Sequence, residues 1–348
     1  MTCLSIVIPV FKTEAYLPRC LESILSQLEN AAAEVEIWVV NDGSPDNSLA
    51  IMQGYREKYP ELVHVIDIAN SGVSVARNVA LDQITGRYVW FVDSDDAIET
   101  GAIEELISII SNTNADYIYF NAHRVDENDT IIGGFSHNSS RSQINSFNFN
   151  AEEVLTRYGK HMLWLRLIRK DFIGTLRFPA GITHEDIHFD LQLLARKPRI
   201  LILDRTFYRH FFDNPSSITN TMNPTKHRHV LWVYEDLYEK FAAASAFSPF
   251  LCEYIVVAIT PLFKRACYLL STDLSNRDKL SLFKEYCKLI RKLFQAFDDN
   301  KPRHHFLSRS ITFRLIVGGY IYCAFILSLA GSKVKLFIDS ISRRPQIS

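Results

Sequence analysis

The apolar run Tyr88-Val89-Trp90-Phe91-Val92 ends abruptly in Asp93-Ser94-Asp95-Asp96. A short continuous run of this kind, bounded by a polar turn, reads as a strand buried on both faces. Three carboxylates therefore lie together at the carboxyl end of a core strand, which is where open α/β sheets bind their ligands. Such crowding is unfavourable through mutual repulsion unless a cation or hydrogen-bond donors neutralise it. Asp93 and Asp95 alternate in a way that suits a hard divalent ion, which prefers oxygen ligands and often bridges to phosphates. The other reading of the same residues is an acidic turn in which Asp96 caps the next helix.

The flanking sequence fits the same sheet. Apolar runs at 4–10, 35–40, 62–68, 87–92 and 116–120 predict strands. Between them, helical spacing covers 15–28, about 46–59, 73–84 and 101–111. Strands that alternate with helices of this length predict an α/β fold with a mainly parallel central sheet and helices on both faces. Residues 122–150 are polar and rich in Asn, Ser and Gly, as in a long surface loop or hairpin. The aromatic and basic segment 151–169 reads as helical, as does 187–196. Beyond residue 222 the pattern is all-helical. The expected organisation is a nucleotide-binding domain over 1–220, a helical region over 221–300 and a basic, apolar tail over 301–348.

Hydrophobic residues make up 47% of the 348 positions and aromatics 12%, which excludes a disordered chain. From Lys301 onward there are eight Lys/Arg and one acid, Asp339, although the whole chain carries a formal net charge of −1. A basic tail on an acidic body suggests an anionic surface as partner. Its uncharged stretch, 315–330, is shorter than the roughly twenty residues a bilayer span needs. A helix lying in the interface, with Arg303, Arg309, Arg314, Lys333, Lys335, Arg343 and Arg344 at anionic headgroups, is the expectation. The six cysteines form no C-x-x-C pair, so neither a zinc site nor a redox motif is expected. They suit a reducing, cytoplasmic setting. The N-terminal apolar run meets Pro9 at once and reads as a first strand, not a signal peptide. No nucleic-acid partner is expected.

Three further constellations each allow two readings. Asp42 closes the second strand, and its carboxylate could accept hydrogen bonds from a base or a ribose. It could equally be a turn residue of Asn41-Asp42-Gly43-Ser44. Glu185-Asp186 opens a helix, whose N-terminus favours ionised carboxylates. Asp186 could then take a proton from an attacking hydroxyl, or simply cap the helix. Arg77, in Gly72-Val73-Ser74-Val75-Ala76-Arg77-Asn78, could bind phosphate or pair with the sheet-edge carboxylates. The stretch is not a dinucleotide fingerprint, because Gly-x-Gly-x-x-Gly is absent.

In order, Ser5-Ile-Val-Ile-Pro-Val-Phe11, Val39-Val-Asn-Asp-Gly-Ser44, Gly72-Val-Ser-Val-Ala-Arg-Asn78, Phe91-Val-Asp-Ser-Asp-Asp96 and Glu185-Asp-Ile-His-Phe189 resemble the family 2 glycosyltransferases of bacterial cell-surface polysaccharide assembly. The resemblance covers about residues 1–220. It implies the GT-A fold and inverting sugar transfer from a nucleotide-diphosphate donor, commonly a UDP-sugar, to a glycan or lipid-linked hydroxyl. It also implies a place at the inner face of the cytoplasmic membrane. Pro9, Phe11 and Asp42 would line the base and ribose, with Arg77 beside them. Asp93 and Ser94 would face the donor, and Asp93 and Asp95 would hold Mg²⁺ or Mn²⁺. Asp186 would be the catalytic base and Glu185 its partner in positioning. Tyr208-Arg209-His210 resembles the segment that closes the donor site, through Arg209 and His210, and Ser216-Ser217-Ile218 resembles the turn after it. Lys12 departs from the Asn usual at that position. The Gln-x-x-Arg-Trp motif of processive synthases is absent, which argues against a polymerising channel. Two other functions compete. A sugar nucleotidyltransferase would need a glycine-rich basic loop after the first strand, and 9–13 lacks one. A non-catalytic nucleotide-sugar-binding scaffold would have no need of the carboxylates.

Overall fold

The first strand, β1 (Leu4–Val10), is buried along nearly its whole length. Its alternate side chains Leu4, Ile6, Ile8 and Val10 join one apolar cluster with Leu17, Cys20, Leu21 and Ile24 of helix α1 (Leu17–Leu25). Alternation along a strand puts Ser5, Val7 and Pro9 on the opposite face, where helix α3 (Val73–Leu81) contacts β1 and β2 (Val35–Asp42). Helix α1 forms because its apolar residues recur at helical spacing and proline stands in its first turn, where no amide hydrogen is needed.

The computed structural model describes residues 2–28, 32–135, 161–211, 223–244, 262, 265–266, 269 and 274–298. The chain divides into two compact units, Met1–Ser217 and Ile218–Ser348. In the first, β3 (Val63–Ile68), β2, β1 and β4 (Tyr88–Phe91) form a parallel array in that order. The sheet continues from β4 into β8 (Arg166–Arg169), β6 (Tyr117–Val125), β9 (Ile200–Phe211) and the two-residue β5 (Ala97–Ile98). Strand β7 (Ile131–Phe135) pairs with β6 alone on this path. Helices α2 (Ser48–Lys58) and α4 (Ala102–Ser111) complete the early βα units, and the one-turn helix α5 (Lys170–Ile173) follows β8. The second unit is described through two helices, Pro224–Ala244 and Asn276–Asp298. No helix among the described residues is long and apolar enough to cross a membrane.

Two expectations fail locally. The segment expected to be helical over 151–169 is, in its described part, a short 3₁₀ turn at Leu163–Leu165 followed by β8. Leu167 pairs with Trp90 and with Ile118, so β8 wedges antiparallel between β4 and β6. Tertiary pairing overrides local propensity here. Strand β6 also outruns its expected end at residue 120, and turns through Asp126–Thr130 into a hairpin with β7. That hairpin accounts for the first part of the polar stretch 122–150. The rest of that stretch, Ser216-Ser217-Ile218 and the whole tail 301–348 lie outside the described residues.

At the amino edge of the sheet, Glu36 is buried in β2. It accepts hydrogen bonds from Ser5 Oγ (2.6 Å), Thr85 Oγ1 (3.0 Å) and the Gly86 amide (3.1 Å). Burial alone would raise this carboxyl; the hydrogen bonds outweigh it and hold the group below its ordinary value. A Cβ at Gly86 would lie 2.4 Å from Ser5 Oγ and 2.7 Å from Ser5 N. Gly86→Ala is therefore expected to cost about 1–3 kcal/mol of stability by overpacking. Because residue 86 lies at the sheet edge opposite Asp93, activity per folded molecule should stay at the wild-type level. Urea unfolding and a rate normalised to folded protein check both halves.

Candidate active site

The turn after β4 is fixed from several directions. The Asp93 amide donates to Tyr208 Oη (3.1 Å), and the same hydroxyl donates to Asp96 Oδ2 (2.8 Å). Asp96, 1% exposed, also accepts from the Phe211 amide (2.8 Å) and lies 3.2 Å from His210 Nδ1. Asp96 thus anchors β9 and does not cap helix α4. Thr13 Oγ1 donates to Ser94 Oγ (3.0 Å), and Arg19 Nη2 donates to the Asp95 carbonyl (2.6 Å). The Trp164 ring stacks against both Tyr208 (4.6 Å) and His210 (5.1 Å).

Held this way, the carboxylates cannot spread apart. The Asp93 carboxyl is pushed up to about 7, by burial first and then by Asp96 and Asp95, against the opposing pull of Arg77 and His210. His210 would be lowered by its burial, but the contact with Asp96 outweighs this and raises it. Among the described residues no three His, Cys, Asp or Glu side chains form a ready-made metal cage. The donor set still suits Mg²⁺ or Mn²⁺. Two hard carboxylates stand one residue apart in a turn with excess negative charge, and such ions are commonly held by one or two carboxylates plus substrate phosphates.

Arg77 links this turn to the second acidic motif. Its Nη2 lies 3.3 Å from Asp93 Oδ1 and its Nη1 lies 2.7 Å from Glu185 Oε1. The side chain is 8% exposed and packs over Phe178 (5.5 Å) and Phe91 (5.9 Å). The neighbouring Asn78 clasps the backbone of Phe178, with Nδ2 donating to its carbonyl (2.9 Å) and Oδ1 accepting from its amide (2.8 Å). Phe178 in turn stacks on Phe189 of the helix Glu185–Leu194, α6 (3.9 Å). Arg77-Asn78 therefore docks the start of α6 onto the sheet. The docking helix is itself held by Asp42. Its carboxylate accepts the Ser71 amide (2.6 Å) and the Gly72 amide (2.9 Å) at the entrance to α3. Gly72 has φ +90°, a conformation that favours glycine.

Asp186 differs from its helix neighbours. Glu185 has Arg77, and Asp190, one turn on, has Arg166 and His161. Among the described residues the Asp186 carboxylate receives a hydrogen bond only from the adjacent Ile187 amide (2.8 Å). Burial, then Glu185, raises its carboxyl to about 6. The favourable helix N-terminus is outweighed, yet at pH 7 the group remains mostly ionised. A half-buried carboxylate with a raised pKa and no cation bonded to it has the properties of a general base.

The structure brings Arg77, Asp93 and Glu185 into direct contact and places Ser94 and His210 around the same turn. Phe11, 41% exposed, stands beyond the end of β1 with Lys12 Nζ 5.2 Å from its ring centre, and Pro9 is half-buried in that strand. Arg209 goes elsewhere: it pairs with Glu99 (3.2 Å) and Asp129 (2.6 Å), on the face of β9 opposite Tyr208 and His210. Tyr208 enters the expectation only as part of the segment Tyr208-Arg209-His210, without a role of its own, although its spacing of two from His210 puts both on one strand face. Asn78 could have been suspected from its place beside Arg77. Trp164 carried no signal, because its partners are set by a strand pairing that the segment's own pattern does not announce.

Residues 5–172 match the model of Glycosyl transferase family 2. YibD of Escherichia coli K12, an uncharacterized glycosyltransferase, is 30% identical over 61% of this chain and 62% of its own length. GgaB of Bacillus subtilis, a minor teichoic acid biosynthesis protein, is 25% identical over 85% of this chain and 32% of its own length. The chain thus spans less than two thirds of either relative. The crystal structure of S. aureus TarS 1-349 in complex with UDP-GlcNAc superposes with a TM-score of 0.69 at 18% identity, covering 97% of this chain and 92% of that one. That likeness shows the fold, a GT-A fold with helices in the C-terminal part. Over residues 5–172 the chain carries a glycosyltransferase family 2 domain, as its match to the family model and its relatives show.

Proposed function

We propose that this chain is an inverting glycosyltransferase that moves a sugar from a UDP-sugar to a hydroxyl of a glycan or lipid-linked acceptor in cell-surface polysaccharide assembly. The observation that carries the reading is the Arg77 bridge between Asp93 and Glu185, because it fixes the donor-side carboxylates beside the helix that bears Asp186. The UDP-GlcNAc bound to TarS and the teichoic acid role in the name of GgaB support the donor and acceptor classes.

In this reading Pro9, Phe11 and Asp42 line the nucleoside side, and Asp93, Ser94 and His210 face the diphosphate. Asp186 accepts the proton of the acceptor hydroxyl as that oxygen bonds to the anomeric carbon. The bond from that carbon to the diphosphate oxygen breaks on the opposite face, and its electron pair leaves with the nucleoside diphosphate. Glu185, pinned by Arg77, keeps the N-terminus of α6 in place. Asp93 and Asp95 would hold Mg²⁺ or Mn²⁺, which would supply charge stabilisation for the leaving diphosphate. Oriented binding of both substrates supplies much of the remaining acceleration.

Asp95→Asn tests the metal assignment. It is expected to abolish turnover of UDP-GlcNAc and to weaken Mn²⁺-dependent UDP binding while the circular dichroism spectrum is unchanged. A folded variant with wild-type activity overturns the assignment.

The proposed organisation is a catalytic domain over 1–220, a helical region over 221–300 and the basic tail attached peripherally at the cytoplasmic leaflet. Membrane fractionation tests the tail. The full chain is expected with membranes and released in part by high salt, and a chain ending at Asn300 is expected in the soluble fraction. Full-length protein found wholly soluble, without binding to anionic vesicles, overturns the attachment.

A further inference from the structure

Behind Asp186 lies a second polar cluster that the proposed reaction does not use. Asp190 follows Asp186 by four residues, which puts both carboxylates on one face of α6. The Asp190 side chain is 2% exposed, and one of its oxygens takes an ion pair from Arg166 and a hydrogen bond from Tyr117 Oη (3.3 Å). Arg166, 1% exposed, also donates to Tyr119 Oη (3.0 Å). The other oxygen of Asp190 is 2.9 Å from His161 Nδ1.

Arg166 alone neutralises Asp190, so the cluster contains one basic group more than its charge requires. That group is His161, which retains 13% exposure where Arg166 retains almost none. With Nδ1 directed to Asp190, the ring cannot turn freely, and a fixed imidazole is a usable electrostatic element.

We propose that His161, held in place by Asp190, is a positioning residue for Asp186: it sets the charge environment in which that carboxylate takes the acceptor's proton. The proposal rests on the reading of Asp186 as the base. The groups that act on Asp186 are Glu185, which disfavours its ionisation, and His161 and Arg77, which favour it. Arg77 is committed to Glu185 and Asp93, whereas His161 is held by Asp190, one helical turn from Asp186. Tyr117 and Tyr119 close the cluster from β6, and both hydroxyls are raised by burial, so neither ionises near neutral pH.

Coupling between two titrating groups is reciprocal, which gives a test that needs no substrate. The imidazole of His161 is titrated by NMR in the full chain and in Asp186→Asn. Loss of the neighbouring carboxylate is expected to lower the His161 midpoint by roughly one pH unit, and an unchanged midpoint overturns the proposal. The kinetic arm uses His161→Gln, which keeps a hydrogen-bonding side chain opposite Asp190 without the charge. The acid limb of Mn²⁺-dependent UDP-GlcNAc hydrolysis should move up by roughly one pH unit, with UDP affinity unchanged. A loss of rate that is uniform across pH marks a merely structural histidine and overturns it. If the wild-type chain turns over no nucleotide sugar, the proposed function fails, and the titration still decides whether His161 and Asp186 are coupled.

Discussion

Asp186→Asn is expected to slow sugar transfer by a factor on the order of 10²–10⁴, the range spanned by general-base catalysis, and to leave UDP binding unaltered. The amide keeps the size of the carboxylate and an oxygen for the Ile187 amide, but it cannot accept the acceptor's proton. Stability should hold or rise, because a carboxylate that burial and Glu185 push up to about 6 is itself a cost to the fold at neutral pH. The sign follows from linkage. A folded pKa above the unfolded value means that ionisation at neutral pH works against folding, and the amide removes that penalty. In the wild type, kcat/KM should fall as pH drops through about 6, where Asp186 becomes protonated. The residual activity of the variant should lack that limb. Isothermal titration with UDP, a melting curve and a pH–rate profile separate these claims. Loss of UDP binding together with activity would make Asp186 a donor or structural residue.

The parts of this molecule that the sequence announces are those whose identity is set locally. Strands β1, β2 and β4 are apolar on both faces, so burial alone marks them. The carboxylates Asp93, Asp95 and Asp186 stand out because acids at the end of a core strand or the start of a helix are chemically conspicuous. Strand β8 is hidden, since Arg166–Arg169 becomes a strand only through register with Trp90 and Tyr119, residues far away in the chain. The same holds for the site's supports. Arg77 meets Glu185 across 108 residues and Tyr208 meets Asp96 across 112. Sequence spacing suggested that Arg77 would either hold phosphate or pair with acids, and the fold places it between two acids. Arg209 shows how strand alternation, too, redirects a side chain. A basic residue in a suggestive tripeptide is turned away by the alternation of the strand and spent on Glu99 and Asp129.

Removing Arg77 should have the largest effect on the fold and the site together. Arg77→Met keeps the length of the side chain and its contact with Phe178 and Phe91, but leaves Glu185 and Asp93 without their shared cation. Breaking a buried ion pair by deleting one partner costs about 3–5 kcal/mol, because the remaining charge is left uncompensated. Here two carboxylates are left, and the start of α6 loses its link to the sheet. Turnover should fall with stability, since Asp186 sits one residue from the released Glu185. Arg77→Lys should rescue little, as a single ammonium cannot reproduce two guanidinium contacts with separate carboxylates. The double variant Arg77→Met with Glu185→Gln distinguishes the electrostatic account from simple loss of packing. It removes one of the stranded charges and is expected to recover a substantial part of the stability while remaining inactive. Chemical denaturation of the single and double variants measures this directly. If Arg77→Met proves as stable as the wild type, or if the double variant is no more stable than the single one, the bridge does not hold the site together.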